Sequence, residues 1–101
     1  MTRNKLPGEL RLDYLRAAIH ASNRDEIGLT PRQKIIARVL TRLCTDVQRR
    51  CFCAYYGQEM GVQEIANAMH VNQSSVSRNI SSARRKINTV LDLVSDREET
   101  K

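Results

Sequence analysis

Residues 61–80 read GVQEIANAMHVNQSSVSRNI, and this stretch decides the fold. Ile65, Ala66 and Met69 place apolar side chains on one face of a helix, and Ala66 is small enough for a second helix to cross closely. The pattern stops after Met69, and Asn72 is a residue type that caps helix N-termini through its side-chain oxygen. The stretch therefore predicts two short helices joined by a tight turn.

The second of these helices is predicted to begin near Gln73 and to have one apolar and one polar face. Val76, Ile80 and Ala83 recur at the spacing of one helix face. The opposite face, at 100° per residue, carries Ser74, Arg78, Ser81, Ser82 and Arg85. Hydroxyl and guanidinium groups suit the reading of base edges in a DNA major groove. The pattern indicates a helix-turn-helix that binds duplex DNA.

Helix start and stop signals recur along the chain, whereas runs of alternating apolar and polar residues are missing. The sequence therefore predicts an all-α domain of about five helices without a β-wing. After Pro7 and Gly8, a first helix is expected over residues 9–22, followed by a polar connection over residues 23–28. The apolar side of this helix is predicted to be made by Leu12, Leu15 and Ile19.

Two capping boxes predict the second and third helices. Residues 30–33 (TPRQ) and 45–48 (TDVQ) both have the T-x-x-Q spacing, which lets the threonine hydroxyl and the glutamine side chain each bind a backbone amide at the helix start. The second helix is expected to end near Leu43 and the third near Gly57, because glycine favours helix ends.

The fourth helix is predicted to start at Gly61, and the fifth is predicted to be a long C-terminal recognition helix from Asn72 to about Val94, without Gly or Pro. Its apolar stripe continues past Ile87, beyond the length a DNA groove can use. This part either folds back on the first helix, giving a monomer, or pairs with a second copy. A homodimer through the C-terminal helix would place two recognition helices ~34 Å apart on a palindrome.

These elements predict three parts of the chain. Residues 1–43 form an N-terminal helical segment that packs on the core, residues 44–94 form the DNA-binding domain, and residues 95–101 form a flexible tail. A length of 101 residues suits one small domain. The aromatic content of 4% without Trp predicts a core packed by aliphatic side chains, and the net charge of +6 favours a polyanionic partner.

The three cysteines, Cys44, Cys51 and Cys53, are predicted to be reduced core residues of a cytoplasmic protein, because no apolar leader precedes them. His20 and His70 fall at no metal-ligand spacing with them, so no metal or other cofactor is expected. No apolar run reaches the ~18 residues that span a bilayer, which argues against a membrane partner. No catalytic arrangement of side chains is apparent, and the chain is not expected to be an enzyme.

A longer pattern without a gap extends over residues 44–87. Its E-I-A-(x)9-V core runs from Glu64 to Val76, and a basic helix end follows at residues 84–86. In this register the chain resembles the fourth conserved region of bacterial sigma factors of the sigma-70 type, which reads the −35 promoter element. The same core occurs in response-regulator and repressor helix-turn-helix domains.

The resemblance implies roles for individual residues of the fifth helix. Base-edge contacts fall on Gln73, Ser74 and Arg78. Contacts to the DNA backbone fall on Ser75, Ser77, Ser82, Arg84, Arg85 and Lys86. The Arg78 fork can meet guanine O6 and N7 together, and Gln73 can pair with adenine. The serine-rich face implies modest affinity, so that a second copy or RNA polymerase would be needed as a co-binder.

Two departures from the family pattern matter. His70 stands where the family usually has a glycine in the turn, and no segment resembles the sigma region that melts promoter DNA. We therefore expect a transcription regulator of bacterial, phage or mobile-element origin. One alternative is a sigma-like subunit that docks on the RNA polymerase flap through a surface near Phe52, Tyr55 and Tyr56. Another is a helix-turn-helix used in DNA packaging or protein interaction.

Overall fold

In the computed structural model, which describes residues 8–23 and 28–99, the regular elements of the described chain are all helical. The helices are α1 Gly8–Asn23, α2 Pro31–Arg42, α3 Asp46–Phe52, α4 Val62–Met69 and α5 Gln73–Glu99. A π turn, Cys53–Gly57, continues α3. The prediction of an all-α fold with five helices is confirmed.

Parts of three predicted segments lie outside the described residues. These are the beginning of the N-terminal segment, residues 1–7, the connection after α1, of which residues 24–27 are not described, and the end of the tail, residues 100–101. The backbone of α5 is helical as far as Glu99, beyond the predicted end near Val94. Flexibility of residues 95–101 stays a prediction.

Both capping boxes form as the sequence predicts. The Gln33 amide donates to Thr30 Oγ1 and the Thr30 amide donates to Gln33 Oε1, each at 3.1 Å. The same pair of hydrogen bonds joins Thr45 and Gln48, at 3.0 and 3.1 Å. Because each box satisfies two amides that have no partner within the helix, the starts of α2 and α3 are fixed locally.

The α1 helix uses a different face for packing from the one predicted. Leu12 and Ile19 are 51% and 47% exposed. The buried side consists of Tyr14, Ala17, Ala18 and Ala21. Small residues face inward because α1 lies very close to the π turn: a Cβ placed on Gly57 would be 3.3 Å from the Ala18 Cβ. The predicted apolar face is therefore wrong for Leu12 and Ile19, whereas Leu15 is half-buried.

The π turn is also absent from the prediction, which had a regular helix up to Gly57. Here the chain forms a wider loop, in which the Gln58 amide donates to the Cys53 carbonyl at 3.2 Å, five residues back. This turn carries Tyr56 into the core, where it contacts Tyr14 and Phe52 with ring centroids 4.9 and 4.6 Å away. Aromatic side chains thus form part of the core, together with the aliphatic side chains that the sequence predicts.

One buried polar contact joins α1 to α2. Gln33 Nε2 donates to Asp13 Oδ1 at 2.9 Å, and the Arg32 guanidinium lies 3.6 Å from the same carboxylate. Since buried carboxylates are costly without partners, this pair fixes how α1 lies on α2.

The long α5 helix packs against α2, α3 and α4, whereas α1 packs against α2 and the π turn. Val90 and Leu91, beyond Ile87, are half-buried against the common core. The stripe beyond Ile87 therefore docks within its own chain for these two residues, but α1 is not its principal partner. No helix among the described residues is long and apolar enough to cross a membrane.

Candidate nucleic-acid interface

The turn between α4 and α5 is built around a left-handed residue. His70 has φ 59° and ψ 43°, the left-handed conformation that the glycine usual in the family at this place adopts readily. The Val71 amide donates to the Ala66 carbonyl at 3.0 Å and the His70 amide to the Asn67 carbonyl at 3.4 Å. These two bonds make a Schellman motif, which ends α4 sharply. A side chain in this conformation costs about 1 kcal/mol relative to glycine.

Asn72 starts α5 in the predicted way. Its Oδ1 accepts a hydrogen bond from the Ser75 amide at 2.9 Å. One turn later Asn79 Nδ2 donates to the Ser75 carbonyl at 2.8 Å. Ala66 of α4 and Val76 of α5 are both buried. Cap and core contacts together fix the direction in which the first turns of α5 point.

The three predicted base-reading side chains lie in these first turns and are all exposed. They are Gln73, Ser74 and Arg78. Among the described residues, none of their side chains takes part in a hydrogen bond or ion pair, so their donors and acceptors face solvent. No Asp or Glu occurs in residues 65–91, so the surface around them carries no negative side chain from α5 until Asp92. This exposed surface, formed by Gln73, Ser74 and Arg78, is called the reading face below.

The residues predicted to contact the DNA backbone divide into two groups. Ser77 and Arg85 are exposed. The half-buried members are Ser75, Ser82, Arg84 and Lys86. The structure thus brings all nine predicted site residues onto one helix but gives some of them neighbours within the protein.

Lys86 has partners that the sequence did not reveal. Its Nζ donates to the Leu43 carbonyl at 2.9 Å and to Gln48 Oε1 at 2.8 Å. Leu43 follows the last residue of α2, and Gln48 belongs to the capping box of α3. These partners lie 43 and 38 positions away in sequence, so no local pattern could have indicated them.

Arg84 lies beside the two buried tyrosines of the aromatic cluster. Burial raises the pKa of Tyr14 to about 12, the neighbouring Tyr56 adds to the rise, and the positive charge of Arg84 opposes it. Burial likewise raises the pKa of Tyr56, again against the charge of Arg84. The Tyr14 hydroxyl is buried without a hydrogen-bond partner among the described residues. Arg84 therefore faces the α1 side of α5.

The cysteines are core residues, as predicted. Cys44, Cys51 and Cys53 are all free and buried. Burial raises the pKa of each thiol, so all three are held in the unreactive neutral form.

The rest of the basic surface is only partly neutralised. Asp46 pairs with Arg49 and Arg50 within α3. On α2, Arg32 pairs with Asp13, and the other exposed basic residues are Lys34, Arg38 and Arg42. Within the described part of the chain these three have no ion-pair partner. The positive field thus extends beyond α5.

The surface suggested for docking on RNA polymerase needs correction. Phe52 is fully buried and Tyr56 is nearly so, because both pack against Tyr14. Tyr55 alone of the three is at the surface, with 36% of its area exposed. Leu43 and Val47, at the junction of α2 and α3, are exposed apolar residues that the prediction did not include.

Comparison with known proteins gives one match. The family model described as Sigma-70, region 4 matches residues 45–88, a span that runs from the N-cap of α3 into α5. No curated protein and no solved structure matches the chain significantly. The match includes the turn at His70 and the whole reading face, whereas α1 and α2 lie outside it.

Proposed function

We propose that the protein binds specific duplex DNA sequences and regulates transcription through the helix-turn-helix within residues 45–88, the span that matches the family model of Sigma-70, region 4. The observation that carries this proposal is the reading face: three exposed polar side chains, without partners among the described residues, on the first turns of α5, which has no Asp or Glu before Asp92. A helix in this position enters the major groove with its N-terminal residues against base edges.

Within the groove we assign base contacts to the reading face. Arg78 binds guanine through its two-pronged guanidinium, Gln73 binds adenine through its amide, and Ser74 supplies a hydroxyl to either base. These contacts set sequence preference.

Phosphate contacts flank the reading face. Ser77 and Arg85 are exposed and free to reach the DNA backbone, and Ser75, Ser82 and Arg84 lie at its half-buried edges. Backbone contacts hold the helix in register and make binding salt-dependent.

The first experiment is selection of bound sequences from a random duplex pool. Enrichment of one short motif supports specific reading, whereas a pool that stays random after several rounds contradicts it. The selected motif also indicates the oligomeric state of the bound protein. A palindrome with half-sites about one helical turn apart indicates a homodimer, for which α5 offers Leu93 with 59% of its area exposed. A single half-site indicates a monomer.

The second experiment tests Arg78. Arg78→Ala should cost ~1–3 kcal/mol of discrimination at one base pair of the selected site. Arg38→Ala is the matched control, because Arg38 is an exposed arginine on α2, outside the matched domain. Unchanged base preference in Arg78→Ala, measured by competition with single-base variants of the site, contradicts the role of Arg78.

A sigma-like subunit that brings RNA polymerase to a −35-type element is the second candidate. It is favoured by the exposed apolar residues Leu43, Val47 and Tyr55, which lie on other elements than the reading face. Co-purification with core polymerase tests it. Retention that is lost in Val47→Asp, while the variant still binds the selected DNA, supports this role. Absence of retention by the wild type contradicts it.

A further inference from the structure

Lys86 has a different task from its neighbour Arg85. We propose that Lys86 is a positioning residue, an inference that rests on the proposed DNA binding. Its side chain holds α5 at a fixed angle to α2 and α3 and thereby orients the reading face, and it does not contact phosphate.

The contacts of its ammonium group carry this inference. Lys86 Nζ donates to the Leu43 carbonyl at 2.9 Å and to Gln48 Oε1 at 2.8 Å. The Leu43 carbonyl lies just past the last residue of α2, where carbonyl groups lack helical partners and carry partial negative charge. One side chain of α5 is thereby joined to the end of α2 and the beginning of α3.

Gln48 is itself held in place. Its Oε1 also accepts the Thr45 amide at 3.0 Å, and its own amide donates to Thr45 Oγ1 at 3.1 Å. The acceptor that Lys86 meets is therefore fixed by the capping box of α3. A contact between two fixed groups determines geometry better than one between two mobile surface side chains.

The same contacts make Lys86 a poor phosphate ligand. An ammonium has three donors, and two of them are already used within the protein. If the ammonium group moved to a phosphate, both of these hydrogen bonds would break. The guanidinium of the next residue, Arg85, is exposed and has no hydrogen bond or ion pair with another described residue. The two adjacent cations therefore have different roles: Arg85 contacts the DNA backbone, and Lys86 stabilises the packing of α5.

The contact of Lys86 with the end of α2 links α2 to the orientation of the reading face. Leu43 precedes the matched span of residues 45–88, so the angle of the reading face depends on a contact outside the recognised domain. The helices before the domain thus act on its specificity.

Lys86→Met and Arg85→Met, measured on the selected duplex in the full chain, separate the two roles. Each removes one charge and keeps an unbranched apolar stem. For Arg85→Met we expect the slope of the logarithm of the binding constant against log salt to become shallower by ~0.9, with the ratio of specific to random binding unchanged. For Lys86→Met we expect the wild-type slope and a specificity ratio lowered about 10-fold, of the order of one base contact. Lys86→Arg, which keeps the donors, should restore the ratio.

A neutral variant provides a second route if Lys86→Met does not fold. Gln48→Met removes the acceptor without changing charge and should lower the specificity ratio at constant salt slope. Gln48→Glu keeps an acceptor for both the Thr45 amide and Lys86 and should retain the ratio.

Two results would overturn the inference. A salt slope that falls in Lys86→Met as far as in Arg85→Met, with the ratio intact, makes Lys86 a phosphate contact. A lowered thermal midpoint with slope and ratio both unchanged makes it merely structural. If the wild type binds no duplex DNA, the proposed function fails separately. The contact is then tested in the free protein by NMR, where the Gln48 side-chain amide signals should move in Lys86→Met but not in Arg85→Met, and unchanged signals would refute it.

Discussion

The protonation of Tyr14 is linked to folding. This residue is fully buried, its hydroxyl has no hydrogen-bond partner among the described residues, and its pKa is raised from 10.0 to about 12. The fold therefore favours the neutral phenol. This contribution to stability is fully present below pH 10 and is lost as the pH rises towards 12.

We predict that the Tyr14 contribution to the free energy of unfolding falls by about 2–3 kcal/mol over this range, and that Tyr14→Phe removes this part of the fall. A smaller fall remains, because burial also raises the pKa of Tyr56 and of the three cysteines. At neutral pH the same substitution should be neutral or stabilising, because it removes an unpartnered buried hydroxyl. Urea unfolding at several pH values measures both effects. Tyr55→Phe, at an exposed tyrosine, is the control and should behave as the wild type. An equally steep alkaline fall in Tyr14→Phe would show that another group is responsible.

The left-handed conformation of His70 should lower the stability of the fold. Because its φ is 59°, His70→Gly should raise the free energy of unfolding by about 1 kcal/mol, seen as a higher urea midpoint. Asn67→Gly, at an exposed position inside α4, should lower it by ~0.5–1 kcal/mol. Equal destabilisation by both glycines would mean that the turn does not require a left-handed residue in solution.

At the scale of the element, Asn72 at the start of α5 bears on both the stability of the helix and the proposed DNA binding. Asn72→Ala removes the acceptor of the Ser75 amide and should cost ~1 kcal/mol of stability. Asn72→Asp keeps the cap and places a negative charge at the positive end of the helix, so stability should be equal or higher. DNA affinity should nevertheless fall in Asn72→Asp, because the carboxylate would face phosphate. Wild-type affinity in this variant would place the N-terminus of α5 away from DNA.

The helices differ in how far the sequence could predict them. The starts of α2, α3 and α5 depend on side chains within three residues of each other, such as Asn72 and Ser75, and were predicted correctly. The buried face of α1 depends instead on the approach of Ala18 to Gly57, far along the chain, and on the π turn that makes this approach possible. Leucine spacing alone therefore gave the wrong face.

The same distinction holds for the candidate site. Exposure of Gln73, Ser74 and Arg78 follows from helical periodicity once the core face of α5 is known, and the structure agrees. Lys86 could not be separated from Arg85 by periodicity, because its partners come from α2 and α3. Charge and motif indicate which residues can meet DNA, and only the packing shows which of them are already engaged.

For the whole molecule, the proposed function predicts that net positive charge and specific reading make separable contributions to DNA binding. A charge of +6, with exposed arginines on both α2 and α5, attracts any duplex, and this part weakens as salt rises. In the function that we propose, the reading face adds a preference among sequences. A DNA-packaging protein would show the first contribution without the second.

The most direct test is therefore the ratio of dissociation constants for the selected duplex and a random duplex of equal length, measured by competition at one fixed salt concentration near the physiological value. We predict a ratio of ~10³ or more in favour of the selected site. A ratio near one, with binding that disappears as salt is raised, would contradict sequence-specific DNA recognition by this helix-turn-helix.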